Sequence, residues 1–276
     1  MSRQENSSYR DVRDMFRRAE AEGWFFPWEN NAKYPLSMSS RVDFEGGAGL
    51  PPAGQPRYKE AAVLFLMGCK ARSTQLQVLI TKRSMEVTSH PGEYCLPGGM
   101  HDSTTDTTLV DTALREAREE VGVSRDSVEV LCSLPPFLSG WHHTTAVGVV
   151  PGLLCGDIEG LEIRENRREV EHTTWIPLRH FIVGDYHRQM RGAWRGLPSS
   201  ISSFYLPPST DSGGHPRVVW GLTAAICTGV SSIALGELQH YPSYCSAISK
   251  IDDKYVHMSE LAHTSQLYRD FQKSKL

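Results

Sequence analysis

The sequence lacks a strong charge of either sign: 29 Lys and Arg stand against 32 Asp and Glu, a formal net charge of −3 over 276 residues. Nucleic acid and anionic membranes need a concentrated excess of Lys and Arg, so neither is expected as a partner. Long apolar runs are also missing. The longest polar-poor stretch, Trp220 to Gly236, is interrupted by Thr223, Thr228, Ser231 and Ser232 and falls short of the roughly 20 residues that a spanning helix needs. No membrane span is expected. The six cysteines are scattered and contain no Cys-x-x-Cys pair, which argues against a zinc site or a disulfide scaffold. The charged N-terminus has no continuous apolar core of the secretory kind, so the chain reads as intracellular and reduced. Neither a Gly-x-Ser-x-Gly elbow nor a Gly-x-x-x-x-Gly-Lys loop is present, which removes the common serine-hydrolase and phosphate-loop readings.

What is present suits one globular domain with extensions, since 39% of the residues are apolar. Val12, Met15, Phe16 and Ala19 recur at helical spacing between Tyr9 and Glu22 and predict a short amphipathic helix that docks on the main domain. Asn30 to Arg57 is rich in Pro and Gly and reads as a linker. Ala61 to Met67 and Leu76 to Arg83 predict paired strands across a polar turn at Lys70 to Thr74. Further strands are expected at Val128 to Ser133, Thr144 to Leu154 and Glu169 to Ile176. A glycine loop at Gly98-Gly99 leads to a helix near Thr107 to Val121, with Gly122 as its left-handed stop. A second helical stretch runs from about Leu222 to Leu235. The boundaries expected are therefore 1–57 for helix and linker, 58–236 for the main domain and 237–276 for a C-terminal extension.

Helical spacing stacks Glu116, Glu119 and Glu120 on one face and leaves Leu114, Ala117 and Val121 to bury the other. Three like charges so close are unfavourable unless a hard divalent cation relieves them, Mg²⁺ being the usual choice beside phosphates. Upstream, Leu96-Pro97-Gly98-Gly99 allows a backbone carbonyl to approach such a cation with no side chain in the way.

These residues resemble the Nudix hydrolase box, a glycine-rich loop followed by an Arg-Glu-apolar-x-Glu-Glu-x-Gly-apolar helix. Arg115, Glu116, Ala117, Glu119, Glu120, Gly122 and Val123 match the helical half. The loop is two residues longer than the common pattern, and Thr107 stands where the usual first glutamate would be; Asp102 or Asp106 is a candidate substitute. The resemblance implies an α/β/α sandwich with a mixed β-sheet. It also implies hydrolysis of a diphosphate with one or more Mg²⁺ or Mn²⁺ ions held by Glu116, Glu119, Glu120 and a Gly99 carbonyl. Glu119 is favoured as the base and Arg115 as the residue that orients the carboxylates. Asn166 to Leu178 is similar to a late Nudix segment, in which Glu169 or Glu171 could reach the metals.

An upstream segment, Leu79-Ile80-Thr81-Lys82-Arg83-Ser84, with Gly92 and Pro97-Gly98-Gly99, resembles the coenzyme A diphosphatase branch of the family. Thr88 and Leu96 replace an Arg and a Phe of that motif. The branch implies coenzyme A or acyl-CoA as substrate, giving 3′-phosphoadenosine 5′-phosphate and (acyl-)4′-phosphopantetheine. Lys82 and Arg83 are the candidate phosphate-binding cations. NADH or a nucleotide sugar is the alternative substrate, and a non-catalytic nucleotide-binding module the alternative class. The terminal Ser274-Lys275-Leu276 has the form of an address read by the peroxisomal import receptor, which places the chain in the peroxisome. Trp141-His142-His143 could stack on adenine, whereas Cys95 is read as packing.

Overall fold

Strand β1 (Lys59–Gly68) is buried on both faces. Successive side chains of a strand point to opposite faces, so a continuous apolar run belongs where both faces are covered. Ala62, Leu64 and Leu66 enter one core, while Phe65 and Met67 enter the other. The structure is a computed structural model that describes residues 7–21, 59–138, 145–194, 197–207 and 216–237.

Strand β2 (Gln77–Arg83) pairs antiparallel with β1 on one side, and β7 (Thr145–Leu154) pairs parallel on the other, from Lys59↔Thr145 to Met67↔Leu153. The short β3 (Tyr94–Cys95) and the longer β8 (Val170–Pro177) join β2; β4 (Gly98–Met100) joins β1; β5 (Val128–Val130) and β6 (Leu134–Leu138) join β7. One parallel pair among antiparallel ones makes the sheet mixed.

Helix α2 (Leu109–Val121) covers the Ala62, Leu64 and Leu66 face with Ala113, Leu114, Ala117 and Val121. Helices α1 (Ser7–Ala21) and α3 (Gly221–Ala234) cover the opposite face, where Val12, Phe16, Ile226 and Val230 share a core with Phe65 and Ile80. This is the expected α/β/α sandwich. Arg13 adds a two-point ion pair from α1 to the sheet, Nε and Nη2 donating to the Glu129 carboxylate at 2.7 and 2.5 Å. Among the described residues no helix is long and apolar enough to cross a membrane.

Several elements differ from expectation. The Gly98-Gly99 loop is instead part of strand β4, with Gly98 opposite Val63 and Gly99 opposite Ala62. A Cβ on Gly98 would fall 2.4 Å from the Ala62 carbonyl oxygen, so this pairing requires the missing side chain. The strand begun at Val128 stops at Val130 rather than Ser133, and β6 follows with Pro135 and Pro136 carried at a register shift between Leu134 and Phe137. A second antiparallel sheet of β9 (His187–Trp194), β10 (Leu197–Tyr205) and β11 (Val218–Trp220) was not anticipated, because its polar, serine-rich strands carry little apolar alternation. The Asn30 to Arg57 linker lies outside the described residues.

Candidate active site

Local sequence sets the phase of α2. At its start the Thr108 hydroxyl accepts from Asp111 N at 3.1 Å, and the Asp111 carboxylate accepts from Thr108 N at 3.0 Å, a reciprocal cap. Gly122 closes the helix at φ 74°, a left-handed conformation that glycine adopts without steric cost. With both ends held, Ala113, Ala117 and Val121 face the sheet, and the carboxylates rise along the neighbouring side.

Arg115 organises that side. Its Nη1 donates to Glu116 Oε1 at 2.9 Å and to Glu119 Oε2 at 3.0 Å, while Nη2 donates to the Met100 carbonyl at 3.0 Å. Behind it stands buried Asp106, which also accepts from the Thr112 hydroxyl at 2.9 Å. His101 Nδ1 lies 2.9 Å from the same hydroxyl. Of the two substitutes considered for the missing first glutamate, Asp106 is the one that meets Arg115; Asp102 instead accepts from Thr104 in an exposed turn. His101 was not singled out from sequence, since nothing in its spacing distinguishes it from a surface residue, and Thr112 entered only as the first residue of Thr112-Ala113-Leu114-Arg115-Glu116-Ala117, a segment that also fits the coenzyme A diphosphatase branch.

The glutamates are not equivalent. The Glu119 side chain is 47% exposed, Glu116 15% and Glu120 only 4%. Gly99 makes room for Glu116, whose carboxyl carbon would be 2.4 Å from a Cβ at that position. Burial raises the Glu116 pKa, and repulsion from Glu119 and Glu169 adds to the rise while Arg115 opposes it. Glu120 turns inward, and its Oε2 accepts from Gly98 N at 3.0 Å. Burial pushes its pKa up to about 7 against the pull of Gly98 N–H and Arg83, with Glu116 and Glu169 adding repulsion.

The structure separates the two downstream glutamates. Glu169 acts electrostatically on Glu116 and Glu120, whereas Glu171 accepts from Lys82 Nζ at 2.7 Å. Lys82 is thereby engaged by Glu171. Arg83, one residue on, sends Nη1 to within 3.7 Å of Glu120 Oε1 and donates from Nε to the Ser89 carbonyl at 3.1 Å. Cys95 is a packing residue here, its thiol pushed up to about 11 by burial. Trp141-His142-His143 and Ser274-Lys275-Leu276 lie outside the described residues.

Among the described residues no three His, Cys, Asp or Glu side chains already converge as a ligand set, because Arg115, Gly98 N and Arg83 engage the oxygens. The donor chemistry nevertheless suits a hard divalent cation: four carboxylates repel one another, two of them are desolvated, and Gly99 leaves a cradle where a Cβ would collide with Glu116.

Residues 57–194, half of the chain, match the family model of the NUDIX domain. The Caenorhabditis elegans protein named peroxisomal coenzyme A diphosphatase ndx-8 is 32% identical over 209 residues, covering 74% of this chain and 81% of that protein. Arabidopsis thaliana Nudix hydrolase 15, mitochondrial, is 35% identical over 175 residues, or 63% of this chain and 58% of that protein. The Photorhabdus laumondii protein called uncharacterized Nudix hydrolase NudL is 32% identical over 170 residues, or 61% of this chain and 81% of its own. With the sandwich and the carboxylate-bearing helix in place, these matches identify the chain as a member of the Nudix hydrolase family, diphosphatases that act on phosphoric anhydrides.

Proposed function

We propose that the chain hydrolyses the diphosphate of coenzyme A and acyl-CoA esters, releasing 3′-phosphoadenosine 5′-phosphate and (acyl-)4′-phosphopantetheine. The observation that carries this reading is the 81% coverage of a relative named a coenzyme A diphosphatase, and the Leu79 to Gly99 motif segment borders the same carboxylates. Nudix hydrolases generally need divalent metal ions; Mg²⁺ or Mn²⁺ is proposed here, with Glu116, Glu119, Glu120 and the Gly99 carbonyl as its ligands. Such an ion supplies charge neutralisation for the diphosphate oxygens and an activated water.

The remaining roles fall to the chain itself. Glu119, the most exposed of the three glutamates, accepts the proton of the attacking water. Arg115 orients Glu116 and Glu119 rather than touching substrate. Of the two phosphate-binding candidates, Arg83 is better placed than Lys82, whose ammonium is held by Glu171. Glu169 contributes negative charge to the same cluster. In this reading 58–236 is the catalytic unit, 1–57 an attached helix and linker, and 237–276 an extension that presents a peroxisomal address.

Incubating the pure protein and Mg²⁺ with coenzyme A, acyl-CoA, NADH and a nucleotide sugar, with products identified by mass, tests the substrate. Preferential formation of 3′-phosphoadenosine 5′-phosphate is expected; faster cleavage of NADH or a nucleotide sugar would overturn the assignment. Removing Ser274-Lys275-Leu276 should leave a tagged protein outside peroxisomes, and its retention there would refute the address.

A further inference from the structure

We propose that Glu93 is a positioning residue, a second station that receives Arg83 when Glu120 binds a divalent cation. The inference rests on the reading of Glu120 as a metal ligand. In the β2–β3 hairpin Thr81 faces Cys95 and Lys82 faces Tyr94, and the Arg83 N–H then donates to the Glu93 carbonyl at 2.9 Å. Thr81 Oγ1 and Cys95 Sγ, 3.2 Å apart, share a face, and alternation along both strands puts Arg83 and Glu93 on that face two residues away. The buried Cys95 thiol feels Glu120, Arg83 and Glu93 together, so all three charges lie in its surroundings.

The partners within this group are incomplete. Glu93 Oε2 lies 3.2 Å from His90 Nδ1, but Glu93 Oε1 is buried with no hydrogen-bond partner among the described residues. A buried carboxylate oxygen without a donor is costly and calls for a physical explanation. Meanwhile Arg83 Nη1 stands 3.7 Å from Glu120 Oε1, beyond the roughly 2.7–2.9 Å of a charge-assisted hydrogen bond. The guanidinium is therefore held by the Ser89 carbonyl and only loosely by Glu120, while the residue paired with Arg83 in the hairpin keeps one carboxylate oxygen without a donor. His90 is at φ 53°, a left-handed conformation that is uncommon for a non-glycine residue, and Glu93 N donates to its carbonyl at 3.3 Å.

Arg83 would be repelled by a divalent cation held on Glu120. Without an alternative acceptor, the guanidinium would lose its acidic partner, and keeping it on Glu120 would compete with the cation. Glu93 removes the conflict: Arg83 moves across the hairpin, and the unsatisfied oxygen gains its donor.

Mn²⁺ binding by titration calorimetry tests this on the full chain, using wild type, Glu93→Gln, Arg83→Ala, the double variant and Glu120→Gln. Glu93→Gln should bind Mn²⁺ about tenfold more weakly, the order of effect of one charge-assisted contact. In the Arg83→Ala background the same substitution should have no effect, because the competing guanidinium is gone. Wild-type affinity in Glu93→Gln, or an equal loss with Arg83 absent, overturns the proposal. Glu93→Asp, which keeps the charge but shortens the reach, carries the same test if Glu93→Gln does not fold. Wild-type affinity in Glu120→Gln would instead remove the metal-ligand reading on which the proposal stands.

Discussion

Asp106 grips Arg115 with both carboxylate oxygens: Nε donates to Oδ1 at 2.8 Å and Nη2 to Oδ2 at 2.9 Å. Two parallel bonds fix the guanidinium plane, and that plane in turn fixes where Glu116 and Glu119 meet Nη1. Asp106→Asn removes the most buried of the three carboxylates that meet Arg115, Glu116 and Glu119 remaining, so it should cost about 1–3 kcal/mol in urea unfolding at pH 7. Arg115 holds the Asp106 carboxyl well below the ordinary carboxylate range. Its contribution is therefore present above the unfolded carboxyl pKa of about 4 and is lost as pH falls toward the depressed native value. The stability gap between wild type and Asp106→Asn should narrow below about pH 4, and a gap that stays constant into acid would contradict the pairing.

Glu120 titrates in the opposite sense. Its native pKa of about 7 exceeds the unfolded value of about 4.3, so over that window the native state holds the extra proton and stability falls as pH rises. Glu120→Gln keeps an oxygen for Gly98 N–H and removes the titration. In thermal melts with chelator, the variant should gain on wild type between pH 5 and pH 8. Parallel pH profiles would show that burial does not perturb this carboxyl.

The two glycines of β4 should respond differently to alanine. At Gly98 the added Cβ meets backbone, the Ala62 carbonyl oxygen at 2.4 Å and Val63 Cα at 2.7 Å, and neither can move without disturbing β1. Gly98→Ala should lose about 1–3 kcal/mol of stability. At Gly99 the obstacle is the movable Glu116 carboxylate, 2.4 to 2.6 Å away. Gly99→Ala should stay folded yet lose most turnover as Glu116 is displaced, which circular dichroism and product assays on the same samples would separate.

Glu119→Gln should lower turnover by about 10²-fold or more with little change in melting temperature, because the side chain is 47% exposed and packs against no core. Equal activity at saturating Mg²⁺ would remove Glu119 as the base.

Helix α1 is part of the folded unit, as Phe16 is 3% exposed within the core shared with Phe65 and Ile80. Phe16→Ala should therefore cost about 3 kcal/mol in denaturant unfolding, and a cost near zero would show that the helix rests on the surface.

Much of this architecture was legible in the chain because it depends on local rules. The apolar run at Ala61 to Met67 specified a strand paired with Leu76 to Arg83. The 116, 119, 120 spacing specified an acidic helix, and Gly122 its end. Strands without apolar alternation, such as Leu197–Tyr205, and strands containing prolines, such as Leu134–Leu138, left no such pattern and emerge only through pairing.

By itself, then, the sequence determined an acidic helix closed by Gly122 behind a glycine pair, since helix periodicity and capping act within a few residues, while its resemblance to the Nudix box implied the sandwich class. Only the tertiary structure decided which partner each charge meets: Asp106 for Arg115, Glu171 for Lys82, Gly98 N–H for Glu120 and His90 for Glu93. It also decided that Gly98-Gly99 is a strand rather than a loop. Those outcomes depend on sheet register and on burial, which bring together groups far apart in the chain and set the cost of leaving each one unpaired.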